Sequence, residues 1–450
     1  MSVPIFYKVC RWLAPFAVVA MIALPAIGET GSLHVTWEKR VEVASGGGYR
    51  GPWRMNASDF YFVDDPTVAI DQQGAVALAW VDQSRQDIFF QSFGPDGSKR
   101  LETPVNVSRS LGVFSWLPRM VVGPGDGSAV HVLWQEIVFS GGSHGGEIFF
   151  ARSTDGGRTF SKPINLSNSI PGDGKGRLTR RHWDNGSLDL ALGPKGILYA
   201  AWTEYEGRLW FSRSTDGGAT FAEPLHVNPG RDGVPARGPS LAVGAEGRVY
   251  LAWTVGEDAG ADIHFAQSVD DGRSFGAPRT VLESDGHADA PKITVDAKGT
   301  VHLVYGESAP GSDRRYRINY ARSNAGVRGF TAAREISSPL APGVESASYP
   351  ALSLDGDGTI YVLWELFPRT RYSPQGLGYT LSGDGGRTFA PPSVVLGSRD
   401  AALGVNGSQQ GLLMRKLGVN GPGAIAVVNS TFKRNEGSRV WLHRGRAARR

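Results

Sequence analysis

An eight-residue motif, Ser-x-Asp-x-Gly-x-Ser/Thr-Phe, occurs four times, at residues 153–160, 214–221, 268–275 and 382–389. Each copy follows a strand-like run such as Ile148-Phe149-Phe150-Ala151-Arg152. A degenerate copy at 323–330 carries Ala325 in place of the aspartate, so the motif recurs roughly every 54 to 61 residues. A period of this size is large enough for one four-stranded propeller blade per repeat.

The repeat extends upstream of the motif. A proline, an apolar segment, a glycine turn and a second apolar segment with an aromatic residue precede each copy, as in Pro239-Ser240-Leu241-Ala242-Val243 followed by Gly247 and Val249-Tyr250-Leu251-Ala252-Trp253. The unit therefore reads strand, tight hairpin, strand, loop, strand, octapeptide, strand. Its first hairpin glycine counts independently to seven, at Gly74, Gly127, Gly196, Gly247, Gly299, Gly358 and Gly423. The seventh unit, from about Leu412 to Leu442, has room for three strands, and the segment from His34 to Val43 is one strand without a unit. The expected fold is an all-β propeller of four-stranded blades, seven rather than six, with the last blade closed by the N-terminal strand so that no sheet edge stays open.

Sixty glycines and 27 prolines suit many short strands and turns. Residues 1–28 read as a secretory signal: Lys8 and Arg11 precede an apolar run from Trp12 to Ile27 that ends in Ala26-Ile27-Gly28. The alternative is an uncleaved anchor, but the run is short and contains Pro15 and Pro25. A secreted or periplasmic protein with no membrane attachment after cleavage is expected, with the propeller over 29–443 and a basic tail at 444–450. The single cysteine, Cys10, lies within the signal, so disulfides and thiolate chemistry are excluded from the mature chain. The net charge of +4 resides in the termini, and without Lys8, Arg11, Arg444, Arg446, Arg449 and Arg450 the body has 41 basic against 43 acidic residues. A nucleic-acid partner is not expected of such a body. Nine scattered histidines lack ligand spacing, and neither a metal nor another cofactor is expected.

In a hairpin of the octapeptide type, the aspartate accepts hydrogen bonds from nearby backbone, the glycine takes positive φ and the phenylalanine packs back on the blade. Asp155, Asp216, Asp270 and Asp384 are thus expected to be structural. Ser153-Thr154-Asp155-Gly156-Gly157-Arg158-Thr159-Phe160 and its copies resemble the Asp-box, or BNR, repeats of the sialidase superfamily. The resemblance covers most of the chain after Pro66. It implies that the motifs sit between the third and fourth strands of each blade, on the face away from the active site, and that the site is formed where inner strands begin and second strands end.

Two rings of residues fall there. The position after the inner-strand proline or its equivalent is Thr67, Arg119, Asp189, Ser240, Lys292, Ala351 and Lys416. Period-two alternation sets this polar ring apart from an apolar inter-blade face, and Arg119, Lys292 and Lys416 are expected to converge at the channel entrance, suiting an anionic ligand. Pairing with Asp189 or Asp289 is the alternative. The second ring places an acid just past an aromatic residue, in Trp80-Val81-Asp82, Trp134-Gln135-Glu136, Trp202-Thr203-Glu204, Tyr305-Gly306-Glu307 and Trp364-Glu365. A dense polar stretch, Arg180-Arg181-His182-Trp183-Asp184-Asn185, lies in a long inter-blade connection, a usual place for binding residues.

The resemblance implies an arginine clamp on a sugar carboxylate, a tyrosine nucleophile assisted by a glutamate, and an aspartate acid/base. This chain departs from that pattern: Asp64-Asp65-Pro66 stands where the family has Arg-Ile-Pro. The nearest counterparts are Arg237-Gly238-Pro239 and Tyr349-Pro350. Two readings follow. In one, a monomeric glycosidase acts on terminal acidic sugars, with Arg119, Arg181, His182, Trp183, Arg237, Lys292 and Lys416 binding ligand, Asp65 or Asp184 as acid/base, and Tyr349 with Glu204 or Glu365 as nucleophile. In the other, a noncatalytic propeller recognises a glycan or a protein partner.

Overall fold

The computed structural model describes residues 33–125, 127–138, 146–168, 187–203, 208–227, 236–256, 260–282, 284–312, 314–323, 327–370, 373–407 and 415–449. Seven four-stranded blades form a ring, a seven-bladed β-propeller. Blade four is representative, with antiparallel neighbours Ala236–Val243, Val249–Val255, Asp262–Ser268 and Arg279–Leu282. In blade seven the strands Leu417–Val419, Ala424–Lys433 and Gly437–Arg449 are completed by Leu33–Trp37 and Val41–Gly46, both paired with the last of them. The residues expected as a solvated basic tail are, through Arg449, part of that strand, where Leu33 faces Arg449. Arg444 pairs with Glu38 at 3.5 Å, so the positive charge at this end serves the closure.

Each blade is a sheet buried on both sides, which explains its near-continuous apolar runs. Tyr250, Ala252, Ile263 and Phe265 of blade four share a core cluster with Ala288, Ile293, Leu303 and Tyr305 of blade five. Val68, Leu78 and Trp80 of blade one pack likewise on Val428, Val440 and Leu442 of blade seven and on Val43 of the closing strand.

The octapeptides are self-contained turns. In the first, Thr159 N and Oγ1 donate to Asp155 at 2.9 and 2.6 Å, Ser153 Oγ donates at 2.7 Å, and Gly157 N donates to Ser153 Oγ at 2.9 Å. The turns also staple the ring, because the closing phenylalanine packs on the third strand of the preceding blade rather than on its own. Phe160 meets Phe90, Phe221 meets Phe150, Phe275 meets Phe211, Phe330 meets Phe265 and Phe389 meets Tyr320, all edge-on at 4.8 to 5.5 Å between centroids. Gly157 has φ +83° and lies so near Phe90 that a Cβ would sit 2.0 Å from its ring. The glycine thus supplies clearance for the neighbouring blade as well as a left-handed turn.

At the opposite end of the blades, five inner strands carry the same bulge. The pairing register shifts around Asp65-Pro66, Leu117-Pro118, Gly238-Pro239, Ala290-Pro291 and Tyr349-Pro350. Proline cannot donate to the ladder, and the slip absorbs that lost bond. The residue before each proline takes positive φ: Asp65 47°, Leu117 55°, Gly238 56°, Ala290 56° and Tyr349 54°. Holding a non-glycine residue there costs about 1–3 kcal/mol, and the bulge re-aims its side chain at the rim of the ring.

Candidate functional site

The rim bulges of blades four, five and six assemble a polar cluster. Arg237 and Asp289 occupy equivalent positions, two residues before Pro239 and Pro291, and pair across the blade boundary at 3.4 Å. Arg237 Nη2 also lies 3.1 Å from His287 Nε2, and His287 Nδ1 lies 3.1 Å from the Tyr316 hydroxyl. Asp289 is further held by Thr254 Oγ1 at 3.0 Å and by the Ala290 amide at 2.7 Å. Arginine can only donate, so His287 Nε2 accepts and its proton sits on Nδ1, directed at Tyr316 oxygen. The Tyr316 hydroxyl proton is then left to point at another acceptor.

Tyr349, half-buried beside this array, packs on Phe367 with centroids 6.1 Å apart. Burial, and after it the charge of Asp289, pushes its phenol well above the ordinary value, and Arg237 only partly opposes this. Tyr316 is raised in the same way, by burial and then Asp289. Both phenols therefore stay protonated and act as donors beside a guanidinium.

A second cluster lies at the channel mouth. Asp189 receives Arg415 Nη2 at 3.3 Å and the Leu241 amide at 2.8 Å. Burial lowers Arg119 to about 10 against the pull of Asp189, and burial with the nearby Arg119 and Arg415 lowers Lys292 to about 8, again against Asp189. Arg119 and Lys292 converge as the alternation requires. Lys416 does not join them: it is buried in an ion pair with Glu365, and Arg415 lines the channel instead. The physical reason is that both residues precede the strand, which begins at Leu417, so its period-two alternation does not reach them, and the buried Glu365 of blade six takes the lysine. Below the mouth the channel encloses about 500 Å³, walled by inner strands of all seven blades.

Glu365 accepts from Lys416 Nζ and from Asn406 Nδ2, so it is committed within blades six and seven rather than to Tyr349. Other carboxylates of the second ring are also satisfied locally: Glu136 by Trp134 Nε1 at 2.9 Å and Ser110, Glu307 by Asn319 at 2.7 Å and Ser284. Asp65 is fully buried in blade one, across the ring from blades four and five, and acts electrostatically on Arg119. Its neighbour Asp64, bonded to Gln83 at 2.8 Å, is held well above the usual carboxylate range by burial and then by Asp65. Arg181, His182, Trp183, Asp184 and Glu204 lie outside the described residues.

Of the expected residues, the structure brings Arg237 and Tyr349 together, and Arg119 with Lys292. His287 and Tyr316 were missed, and Asp289 was weighed only as a partner for a cation. The position two before each inner-strand proline was the available signal for Arg237 and Asp289. Among the described residues no group of three histidine, cysteine or acidic side chains could hold a metal ion, and no helix is long and apolar enough to cross a membrane.

No family model and no curated protein matches the chain. Solved structures do. A polysaccharide lyase of family PL25, an ulvan lyase, matches with TM-score 0.55 and 14% identity over 89% of this chain and 95% of its own. The polysaccharide lyase Uly1 matches with TM-score 0.54 and 11% identity over 91% and 99%. A variant of the NanB sialidase from Streptococcus pneumoniae gives TM-score 0.48 and 11% identity over 74% and 67%. The chain thus shares its propeller fold, over about nine-tenths of its length, with two proteins named as polysaccharide lyases.

Proposed function

We propose that this chain is a secreted carbohydrate-active propeller that cleaves an acidic glycan at the rim of blades four to six. One observation carries the reading: Arg237, His287 and Asp289 form a fixed array beside two phenols, Tyr316 and Tyr349, that burial keeps protonated. Arg237 holds the acidic group of the sugar, and Tyr349 protonates the departing glycosidic oxygen, with Tyr316 as a second donor. Arg119 and Lys292 at the channel mouth add positive potential for the same ligand. The apolar segment from Trp12 to Ile27 supports export.

The commitment of Glu365 to Lys416 argues against Tyr349 acting as a nucleophile with that glutamate as its base. Proton donation by the phenol is the favoured role; it serves hydrolysis, in which water bonds to the anomeric carbon as the glycosidic bond breaks, and elimination at a uronate, in which the neutral His287 ring takes the C5 proton as the C4–O bond breaks and a C4–C5 double bond forms. The test is incubation of the mature protein with sialosides and with ulvan, alginate and hyaluronan, following new reducing ends and the ultraviolet absorbance of unsaturated uronates. Reducing ends with that absorbance indicate elimination; reducing ends alone indicate hydrolysis. Neither signal from folded protein on any substrate sinks the catalytic reading and leaves a glycan-binding propeller.

A further inference from the structure

Between the closing strand and blade one the chain makes an excursion across the rim face. Tyr49–Arg50 pairs with Phe60–Tyr61 as a short antiparallel hairpin, with Tyr49 directly opposite Tyr61. Alternation divides it into two sides. Phe60 is buried and packs among Trp53, Phe62 and Phe114, with Trp53 resting in turn on Trp116. Tyr49 and Tyr61 face outward, 45% and 50% exposed, their rings stacked 5.6 Å apart at 29°. Among the described residues these are the only aromatic side chains in the set of exposed large hydrophobic ones.

The hairpin is a fixed platform. Gly48 carbonyl accepts from Asn435 in the rim turn of blade seven at 2.7 Å, and Gly47 carbonyl accepts from Ser438 Oγ at 2.8 Å. Asn56 carbonyl accepts from Gln86 in the rim turn of blade one at 2.9 Å, while Asn56 Nδ2 donates to Ile137 of blade two at 2.8 Å. These contacts span three blades and place the tyrosines on the same face as the proposed site. Tyr61 precedes Asp65, at the rim bulge of blade one, by four residues, an extended reach of roughly 13 Å.

We propose that the Tyr49–Tyr61 pair is a sugar-stacking subsite, and that the ligand is an extended acidic polysaccharide lying across the channel mouth from blades four to six toward blade one. The inference rests on the reading of the rim as a glycan site and deepens it, from a terminal sugar to the interior of a polymer. Exposed, preorganised tyrosines combine a flat apolar face for the C–H face of a pyranose with hydroxyls that bond its oxygens, at little cost in side-chain entropy. Lys292 and Arg415 line the channel on that side, with the buried Arg119 adding its charge from behind, so charge complementarity selects an acidic chain over a neutral one.

The experiment is affinity electrophoresis in native gels containing ulvan, alginate or hyaluronan, with size-exclusion chromatography of the same samples. The expected result is retardation of the wild type by at least one polymer, weakened about tenfold in apparent affinity by the double change Tyr49→Ala and Tyr61→Ala. The double change to Phe, which keeps the rings, restores most of it. Equal retardation of the wild type and the double alanine variant overturns the proposal, as does absence of retardation by every polymer. A dimer of the wild type that the alanine changes dissolve also overturns it, by assigning the pair to a second copy of the chain. Tyr349→Phe separates the two readings: retention in the gel with no turnover in wild type or variant removes the catalytic site and leaves the subsite standing.

Discussion

The two faces of the ring use the same residue types in opposite ways. On the octapeptide face, aspartates are satisfied by their own turns: Asp155, Asp216, Asp270 and Asp384 each accept from a serine and from a hydroxyl and an amide four residues on. On the rim face, Asp65 and Asp289 stand at strained bulges, and their charges act on groups from other blades. What repeats identically holds the ring together, and what occupies a repeated frame with a changed side chain can carry chemistry.

The comparison breaks most visibly at Tyr349. Replacing it with Phe removes one hydroxyl from the rim, and turnover of the glycan substrate is expected to fall by about 10²–10⁴-fold with the melting temperature unchanged. A large fall in melting temperature with turnover retained would reverse the assignment of this face. Gly157→Ala is the complementary change. It brings a Cβ against Phe90 in a left-handed turn, and denaturant titration should show a loss of about 2–4 kcal/mol while the folded protein keeps its specific activity.

Effects at the channel mouth are smaller. The Lys292 ammonium, lowered to about 8 by burial and by Arg119 and Arg415, is charged below that pH and neutral above it. Binding of an acidic polymer should weaken as pH rises through about 8, and Lys292→Met should flatten that part of the profile in affinity electrophoresis. An unaltered pH profile in the variant would show that Lys292 lies off the path of the ligand.

The smallest effect belongs to a single turn carboxylate. Burial pushes Asp155 up, yet the bonds from Thr159 and Ser153 outweigh it and hold the group at about 2. A depressed carboxylate stabilises the fold above its ordinary value of 3.8 and loses that contribution as pH falls toward 2. Asp155→Ala should cost about 1 kcal/mol at neutral pH and reduce acid sensitivity in that window, as urea titration at pH 6 and about pH 3 can measure. A variant as stable as wild type at both would remove the turn from the forces that hold the ring.

The seven blades were legible because the turn chemistry of the octapeptides and hairpin glycines is local, and local chemistry is written in consecutive residues. Closure by the N-terminal strand followed from a unit one strand short. Arg237 and Tyr349 were found through the proline that follows each, since that proline creates the bulge that aims them. His287 and Tyr316 were not, because a site built from one residue per strand leaves no spacing to read. Lys416 was misplaced by one position, just before a three-residue inner strand that carries no proline bulge. The sequence also left the phenylalanine of each octapeptide on its own blade, because a contact between adjacent repeats is invisible to a comparison of repeats with one another.

That last contact gives the ring a direction. Each octapeptide ring locks the blade made before it, from Phe160 on Phe90 to Phe389 on Tyr320. A chain synthesised from its N-terminus therefore seals each of blades one to five with the next one to emerge, while the N-terminal strands wait for the final strand to arrive and receive them.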